Sequence, residues 1–183
     1  CSGDGRVRSR RTLTVKIPAG VDTGTRIQLT GEGEVGPGGG PAADLYVEVE
    51  VEPHDVFTRS EDDLYCDVRV PMTAAALGTQ IDLPTLEADT GVPAEEATIG
   101  FDIVPGTQSG ETVTIRGRGV PHLRGVGRGD LKVRVVVETP TRLDDRQREL
   151  LGLLATERGE ELVEGEFAAP HRRVFDRIRD AFR

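Results

Sequence analysis

Tryptophan is absent from the 183-residue sequence, and the other aromatics amount to five Phe and two Tyr. Any core must therefore be built from aliphatic side chains, without the large buried area that aromatic rings supply. Cysteine is almost as rare. Cys1 and Cys66 show no framework spacing, which argues against a disulfide-stapled scaffold and for a reducing, cytoplasmic setting. No apolar stretch approaches the roughly 18 residues that cross a bilayer, and no N-terminal signal segment is visible, so no membrane role is expected. Positive charge is also short: 23 basic residues face 32 acidic ones, for a net charge of −9. That balance repels polyanions, and no nucleic-acid partner is expected. Only Lys16 and Lys132 are lysines, an arginine bias that reflects genome composition rather than a site.

What the sequence does have is turns and an internal repeat. The 23 Gly and 11 Pro break the chain often, and each is suited to turns for its own steric reason. Residues 17–52 lie over residues 103–138 at a constant offset of 86, without a gap, and twelve of the thirty-six positions are identical. The identities are Ile17/103, Gly20/106, Gly24/110, Gly31/117, Gly33/119, Gly39/125, Asp44/130, Leu45/131, Val47/133, Val49/135, Val51/137 and Glu52/138. Glycines permit positive φ at turns, and valines at i, i+2, i+4 line one face of a strand. Turn positions and one strand face are thus what recur, and each half reads as a small β-unit.

In the first half, Leu13-Val15-Ile17 alternates with Thr12-Thr14-Lys16, then come Ile27 and Leu29, a glycine-rich loop at Gly36–Gly40 and the strand Leu45–Val51. In the second, Ile99-Phe101-Ile103, Val113-Ile115 and Leu131–Val137 take the same places. Leu64-Cys66-Val68-Val70 alternates with polar residues and predicts a half-buried strand with Cys66 on the apolar side. Thr73-Ala74-Ala75-Ala76-Leu77-Gly78 predicts a short helix with Thr73 as its N-cap and Gly78 as its stop. Gln80–Leu83 resumes the sheet. The run Glu87–Thr98 predicts a long mobile hairpin loop with little core potential. After Pro140 the period becomes helical: Leu143, Leu150, Leu151 and Leu154 share a face, Asp144 and Gln147 are spaced as a capping box, and Gly159 is a stop. Val174, Phe175, Ile178 and Phe182 predict a second amphipathic helix. The fold class expected is mainly β: two tandem small β-sandwich-like domains, a short helix in the second, and amphipathic C-terminal helices.

These residues resemble the C-terminal substrate-binding region of a bacterial DnaJ-type J-domain co-chaperone with a CxxCxGxG zinc domain. The opening Cys1-Ser2-Gly3-Asp4-Gly5 is similar to the end of the last zinc repeat. Val15-Lys16-Ile17-Pro18-Ala19-Gly20-Val21 and Gly31-Glu32-Gly33-Glu34 resemble the first C-terminal β-domain. Asp44-Leu45-Tyr46-Val47, Pro53-His54 with Phe57 and Arg59, and Asp63-Leu64 resemble the junction into the second domain. Ala75-Ala76-Leu77-Gly78, Pro84-Thr85-Leu86, Pro105 to Gly110 and Gly117-Arg118-Gly119-Val120-Pro121 resemble its body. The implied boundaries are a zinc-domain remnant at 1–5, part of the first β-domain at 6–54, the second at 55–140 and a helical dimerisation segment at 141–183. The J-domain with its His-Pro-Asp signature and the other zinc cysteines are missing, so the resemblance implies part of a longer protein. Glu87–Thr98 is longer than the family's usual connection.

The resemblance implies a non-enzymatic chaperone module that holds unfolded polypeptide and, in the intact protein, delivers it to a DnaK-type ATPase. The client-binding positions that carry over are Leu13 and Val47, and Val15 and Leu45 extend the same surface by their place in the sheet. Strand addition at a sheet edge with one client side chain in an aliphatic pocket is the expected mode, against the ordinary reading of such residues as core. Family members dimerise through their C-termini, which points to Phe175, Ile178 and Phe182 and to a homodimer; Asp176 and Asp180 argue against the rival membrane reading of this arginine-flanked tail. A structural module that merely spaces and dimerises the co-chaperone is the alternative. Cys1 would be a zinc ligand only in the intact protein; no cofactor is expected here, because zinc takes a full tetrahedral set of ligands. His54, His122 and His171 have no partner at metal-ligand spacing, and His54 belongs to the junction. The serines lie in no GxSxG turn. Gly31–Gly40 lacks the P-loop lysine and reads as hairpin turns. Thiol-disulfide chemistry is excluded for want of a CxxC pair, and stimulation of ATP hydrolysis is not expected without the His-Pro-Asp loop.

Overall fold

In a computed structural model, residues 9–90 and 92–160 are described, and the chain divides into two units, Cys1–Thr139 and Pro140–Arg183. In chain order the first unit contains β1 (Arg26–Leu29), β2 (Leu45–Glu48), β3 (Thr58–Ser60), β4 (Asp63–Pro71), α1 (Met72–Leu77), β5 (Thr79–Pro84), α2 (Ala94–Ala97), β6 (Thr98–Ile103), β7 (Thr112–Ile115) and β8 (Leu131–Glu138). The second contains α3 (Asp145–Arg158). The mainly β fold with several sheets is the class expected from the alternating pattern.

The repeat is a repeat of backbone. β1 and β2 pair antiparallel with Ile27 opposite Val47 and Leu29 opposite Leu45, and β7 and β8 pair with Val113 opposite Val133 and Ile115 opposite Leu131. Each hairpin carries the same isolated bridge near its tip, Val35 to Ala42 and Pro121 to Arg128. The Asp44 carboxylate accepts from the Gly31 amide at 2.9 Å, as Asp130 does from Gly117 at 2.9 Å. Gly31 and Gly117 have φ of 71° and 67°, a left-handed conformation that disfavours a Cβ, which explains why this glycine recurs in both copies.

In the second copy, β8 lies at the centre of the sheet β3-β4-β8-β7, and β5-β6 form a separate antiparallel pair. β4 runs parallel to β8, from Leu64 opposite Leu131 to Pro71 opposite Glu138. One core gathers Leu64, Cys66 and Val70 of β4, Leu131, Val133 and Val135 of β8, Phe101 and Ile103 of β6, and Ala75 of α1. The aliphatic core expected from the scarcity of aromatics is therefore a second-copy core. Each fully buried Val or Leu in it contributes about 1.5–3 kcal/mol.

Several details differ from the sequence reading. Residues 12–17 form no ladder: Leu13 and Val15 are half-buried between exposed Thr12, Thr14 and Lys16, so the alternation persists without a pairing strand among the described residues. At the repeat offset Leu13–Ile17 corresponds to Ile99–Ile103 of β6, which pairs with β5, whereas no described strand pairs with Leu13–Ile17. Glu87–Thr98 is not a structureless loop. A 3-10 turn at Leu86–Thr90 and α2 occupy it, Ala97 is buried, and its carbonyl accepts from the amide of buried Thr85 at 2.8 Å and from its hydroxyl at 3.1 Å. α1 begins two residues earlier than expected, with Pro71 as its N-cap and no side-chain cap, because proline's fixed φ suits a helix start; Gly78 ends it at φ 81°. β2 stops at Glu48 instead of Val51, although the Val49 amide still donates to the Thr25 carbonyl.

In the second unit, α3 carries the capping box: the Gln147 amide donates to Asp144 Oδ1 at 2.7 Å, and the Gln147 side chain accepts from the Asp144 amide at 3.0 Å. Gly159, at φ 67°, closes the helix. No residue of α3 is buried, and Leu150 and Leu154 of its leucine face stay exposed. Phe175, Ile178 and Phe182 lie outside the described residues, as does Cys1.

Candidate functional site

β1 and β2 are too short to bury anything between themselves, and they are a two-stranded sheet among the described residues. Their pairing puts Ile27, Leu29, Leu45 and Val47 on one face, since directly opposed residues and residues two apart share a side. The other face is polar and knitted across the strands: Arg26 Nε meets Glu48 Oε2 at 2.9 Å, and Gln28 Nε2 donates to Asp44. The hydrogen bonds from Gly31 and then Gln28 hold the Asp44 carboxyl below its ordinary range.

The equivalent residues of the second copy show what this apolar face lacks. Leu131, Val133 and Val135 are 1%, 0% and 0% exposed, while Leu45 is 36% exposed and Val47 and Val49 are only half-buried. The difference is packing, because the residue types are the same. β8 has β4 on one side and the β5-β6 residues in its core; among the described residues β2 has neither, and its outer edge pairs with no strand. Val47 and Leu45 thus come together with Ile27 and Leu29, whereas Leu13 and Val15 sit in the unladdered segment and share no ladder with them. Ile27 and Leu29 were legible as strand residues from their alternation but not as part of this face, because only the cross-strand register places them there.

The first copy is tied to the second at one clasp. Arg59 donates from Nη1 to the Val21 carbonyl at 2.6 Å, from Nη2 to the Gly20 carbonyl at 3.0 Å and from Nε to the Glu61 carbonyl at 2.6 Å. His122 Nδ1 lies 2.7 Å from Asp62 Oδ2 beside it. Gly20 has no room for a Cβ, which would overlap the Pro121 carbonyl. His54 Nδ1 accepts from the Val56 and Phe57 amides at 3.0 and 3.2 Å and its ring stands 4.9 Å from that of Phe57, so it shapes the junction turn. His171 lies outside the described residues. Ser109 Oγ accepts from the Val137 amide at 3.1 Å, the same bond that Thr23 Oγ1 makes with Val51 at 2.9 Å, a turn role in both copies.

The sequence has counterparts among known proteins. The sequence model of the DnaJ C terminal domain matches residues 4–140. The chain belongs to the DnaJ C-terminal domain family. Chaperone protein DnaJ 2 of Streptomyces avermitilis is 60% identical over 178 residues, covering 97% of this chain and 45% of that protein. Chaperone protein DnaJ 2 of Streptomyces coelicolor is 61% identical over 178 residues, and Chaperone protein DnaJ 1 of Cutibacterium acnes is 54% identical over 184 aligned positions, 47% of its length. The chain spans about half the length of the curated relatives it matches.

Zinc does not fit the residues that this DnaJ C-terminal domain displays. Among the described residues no three His, Cys, Asp or Glu side chains gather in a way that holds a metal. Cys66 is alone in the second-copy core, where burial and then the neighbouring Asp67 charge push its thiol pKa up and keep it protonated. No helix among the described residues is long and apolar enough to cross a membrane. Among the described residues the first copy presents an apolar sheet face and a strand edge that no other strand pairs.

Proposed function

We propose that this chain is a chaperone client-binding module, which holds unfolded or misfolded polypeptide for delivery to a DnaK-type ATPase by the longer protein. The observation that carries the reading is the apolar face of β1-β2, where Leu45 is exposed and Val47 half-buried while their counterparts Leu131 and Val133 in the second copy are sealed. An extended client segment adds its backbone to the free edge of β2, and one apolar side chain is buried against Val47 and Leu45, with Leu13 and Val15 completing the pocket. Such a side chain contributes about 1.5–3 kcal/mol when fully buried, against the cost of ordering the client, so affinity is modest and selectivity low. Binding, not bond chemistry, is the activity. Phe175, Ile178 and Phe182 are the dimer contacts of this reading, and a dimer presents two client sites at once.

The test is a fluorescence-anisotropy titration of the 183-residue chain with a labelled extended apolar peptide, beside an Asp/Lys-rich control. Saturable binding of the apolar peptide alone is expected, with loss of that binding in the double variant Leu13→Glu, Val47→Glu. Unchanged capture by a double variant whose circular dichroism is intact refutes the assignment. A second reading is favoured by β4, which fills in the second copy the edge that is free on β2. There, a strand from elsewhere in the longer polypeptide covers the edge, and the module spaces and dimerises the co-chaperone. A folded chain that binds neither peptide selects this structural reading.

A further inference from the structure

The two copies of the repeat are an internal comparison, because any residue needed to build the hairpin should be met in both. The arms that link β1 to β2 and β7 to β8 share their glycine positions, their bridge and their aspartate clamp. They share little else. Where the first arm has Thr30, Glu32, Gly38 and Gly40, the second has Arg116, Arg118, Arg124 and Val126 at the same offset, and Leu123 replaces Pro37. The first arm shows that the turn closes with glycine and proline alone: the Gly36 amide donates to the Pro41 carbonyl at 3.3 Å, as His122 does to Gly127 at 3.1 Å in the second. Folding therefore does not call for the second arm's large side chains.

Nor are they used inside the protein. Val126 is fully exposed at 100%, Leu123 is 44% exposed, Arg116 and Arg124 are exposed, and Arg118 is half-buried. Arg11, Arg26, Arg59, Arg69, Arg128 and Arg134 each have a carboxylate within ion-pair distance, whereas Arg116, Arg118 and Arg124 have none among the described residues. Residues 116–129 contain four arginines and no acid in a chain of net charge −9. The arm also continues directly from β7, whose outer edge pairs with no other strand among the described residues.

We propose that the second arm, through Arg116, Arg118 and Arg124 with Leu123 and Val126 at its tip, is a docking site for an extended acidic segment of a partner polypeptide that carries apolar residues among its carboxylates. Arginine forks match carboxylates in a bidentate geometry, the exposed Leu and Val accept the partner's apolar groups, and the free edge of β7 receives its backbone. A short segment is favoured over a nucleic acid or an anionic bilayer. Those surfaces extend for many Debye lengths and meet the acidic remainder of the chain, while a segment of a few residues meets the arm alone.

The proposal is tested by anisotropy titration of the full chain with a labelled peptide that alternates Glu with Leu, beside its Gln-for-Glu counterpart. Binding of the acidic peptide about tenfold tighter at low salt is expected, the advantage vanishing in high salt. Arg116→Ser with Arg118→Ser and Arg124→Ser should abolish that advantage, and Leu123→Ser with Val126→Ser should weaken the acidic peptide severalfold. Capture of an apolar, uncharged peptide by the β1-β2 face should be the same in all variants, which separates failure here from failure of the client-binding reading. Equal affinity for the two peptides overturns the proposal, as does an unchanged advantage in the arginine variant. Binding of oligonucleotide or phosphatidylglycerol vesicles in preference to the peptide overturns it as well.

Discussion

Glu87 is the residue through which the supposedly mobile stretch 87–98 is fastened to the second arm, and it permits a quantitative check. Its carboxylate is ion-paired with Arg128, whose Nε also donates to the Gly119 carbonyl at 2.9 Å. Burial pushes the Glu87 pKa up, but hydrogen bonds from Arg128 and Thr85 and the Arg128 charge outweigh it and bring the pKa from 4.5 down to about 2. The full difference corresponds to about 3 kcal/mol at neutral pH; with the side chain 26% exposed, solvent screening reduces this to about 2 kcal/mol. A depressed folded-state pKa stabilises above the unfolded value and is lost as pH falls through the folded one. The contribution should therefore be complete above about pH 5, roughly halved by pH 3 and gone near pH 2. Urea unfolding of the wild type and Glu87→Gln, followed by far-UV circular dichroism at pH 7, 4.5 and 3, reads it directly. The expected gap is about 2 kcal/mol at pH 7 and about 1 kcal/mol at pH 3. A gap that does not change with pH, or none at pH 7, refutes the argument that a charged pair anchors this stretch.

The repeat furnishes two further predictions. Val133→Ala should cost about 2–3 kcal/mol and Val47→Ala less than about 1 kcal/mol by the same unfolding assay, since the first removes packing from a sealed core and the second trims a half-open face; equal costs would mean that the β1-β2 face is covered. Gly129→Ala should destabilise by at least about 2 kcal/mol, because its Cβ would overlap the Asp62 carbonyl, while Gly36→Ala should be tolerated, its nearest neighbour being 3.5 Å away at an ordinary φ of −58°. Thermal melting of both variants checks the contrast.

Which parts of this were legible in the sequence depended on whether the cause was local. The turn glycines, the Asp144/Gln147 box and the valine faces arise from residues near each other along the chain, and each was readable from spacing, whereas Asp44 and Asp130 showed only as identities of the repeat and not as clamps on Gly31 and Gly117. The parallel pairing of β4 with β8 joins residues 67 apart in sequence, as in Asp67 Oδ1 accepting from Arg134 Nε at 2.8 Å, and no local pattern specifies it. The stretch after Glu87 misled because its Ala, Glu, Gly and Pro content reads as loop, while its order comes from tertiary bonds to Thr85 and Arg128. α3 misled the other way: helical spacing of leucines is a statement about a face and says nothing of whether a surface meets it.

The same limit governs the site itself. Leu45 and Leu131, or Val47 and Val133, are identical residues at identical places in identical hairpins, yet one pair lines an open face and the other a sealed core. The residue type at these two positions does not distinguish them; the distinction lies in whether β4 and the β5-β6 pair stand against the strand. A duplicated hairpin can thus bury an apolar strand position in one copy and leave it open in the other with the same Leu and Val in place. The arms follow the complementary logic. Their backbones agree while their exposed side chains diverge from Thr, Glu and Gly to Arg and Val, so the divergence has no work to do in folding and is free to serve recognition. Agreement between the copies therefore marks what the hairpin requires, and a difference in packing or in exposed charge marks where the two copies can act on other molecules.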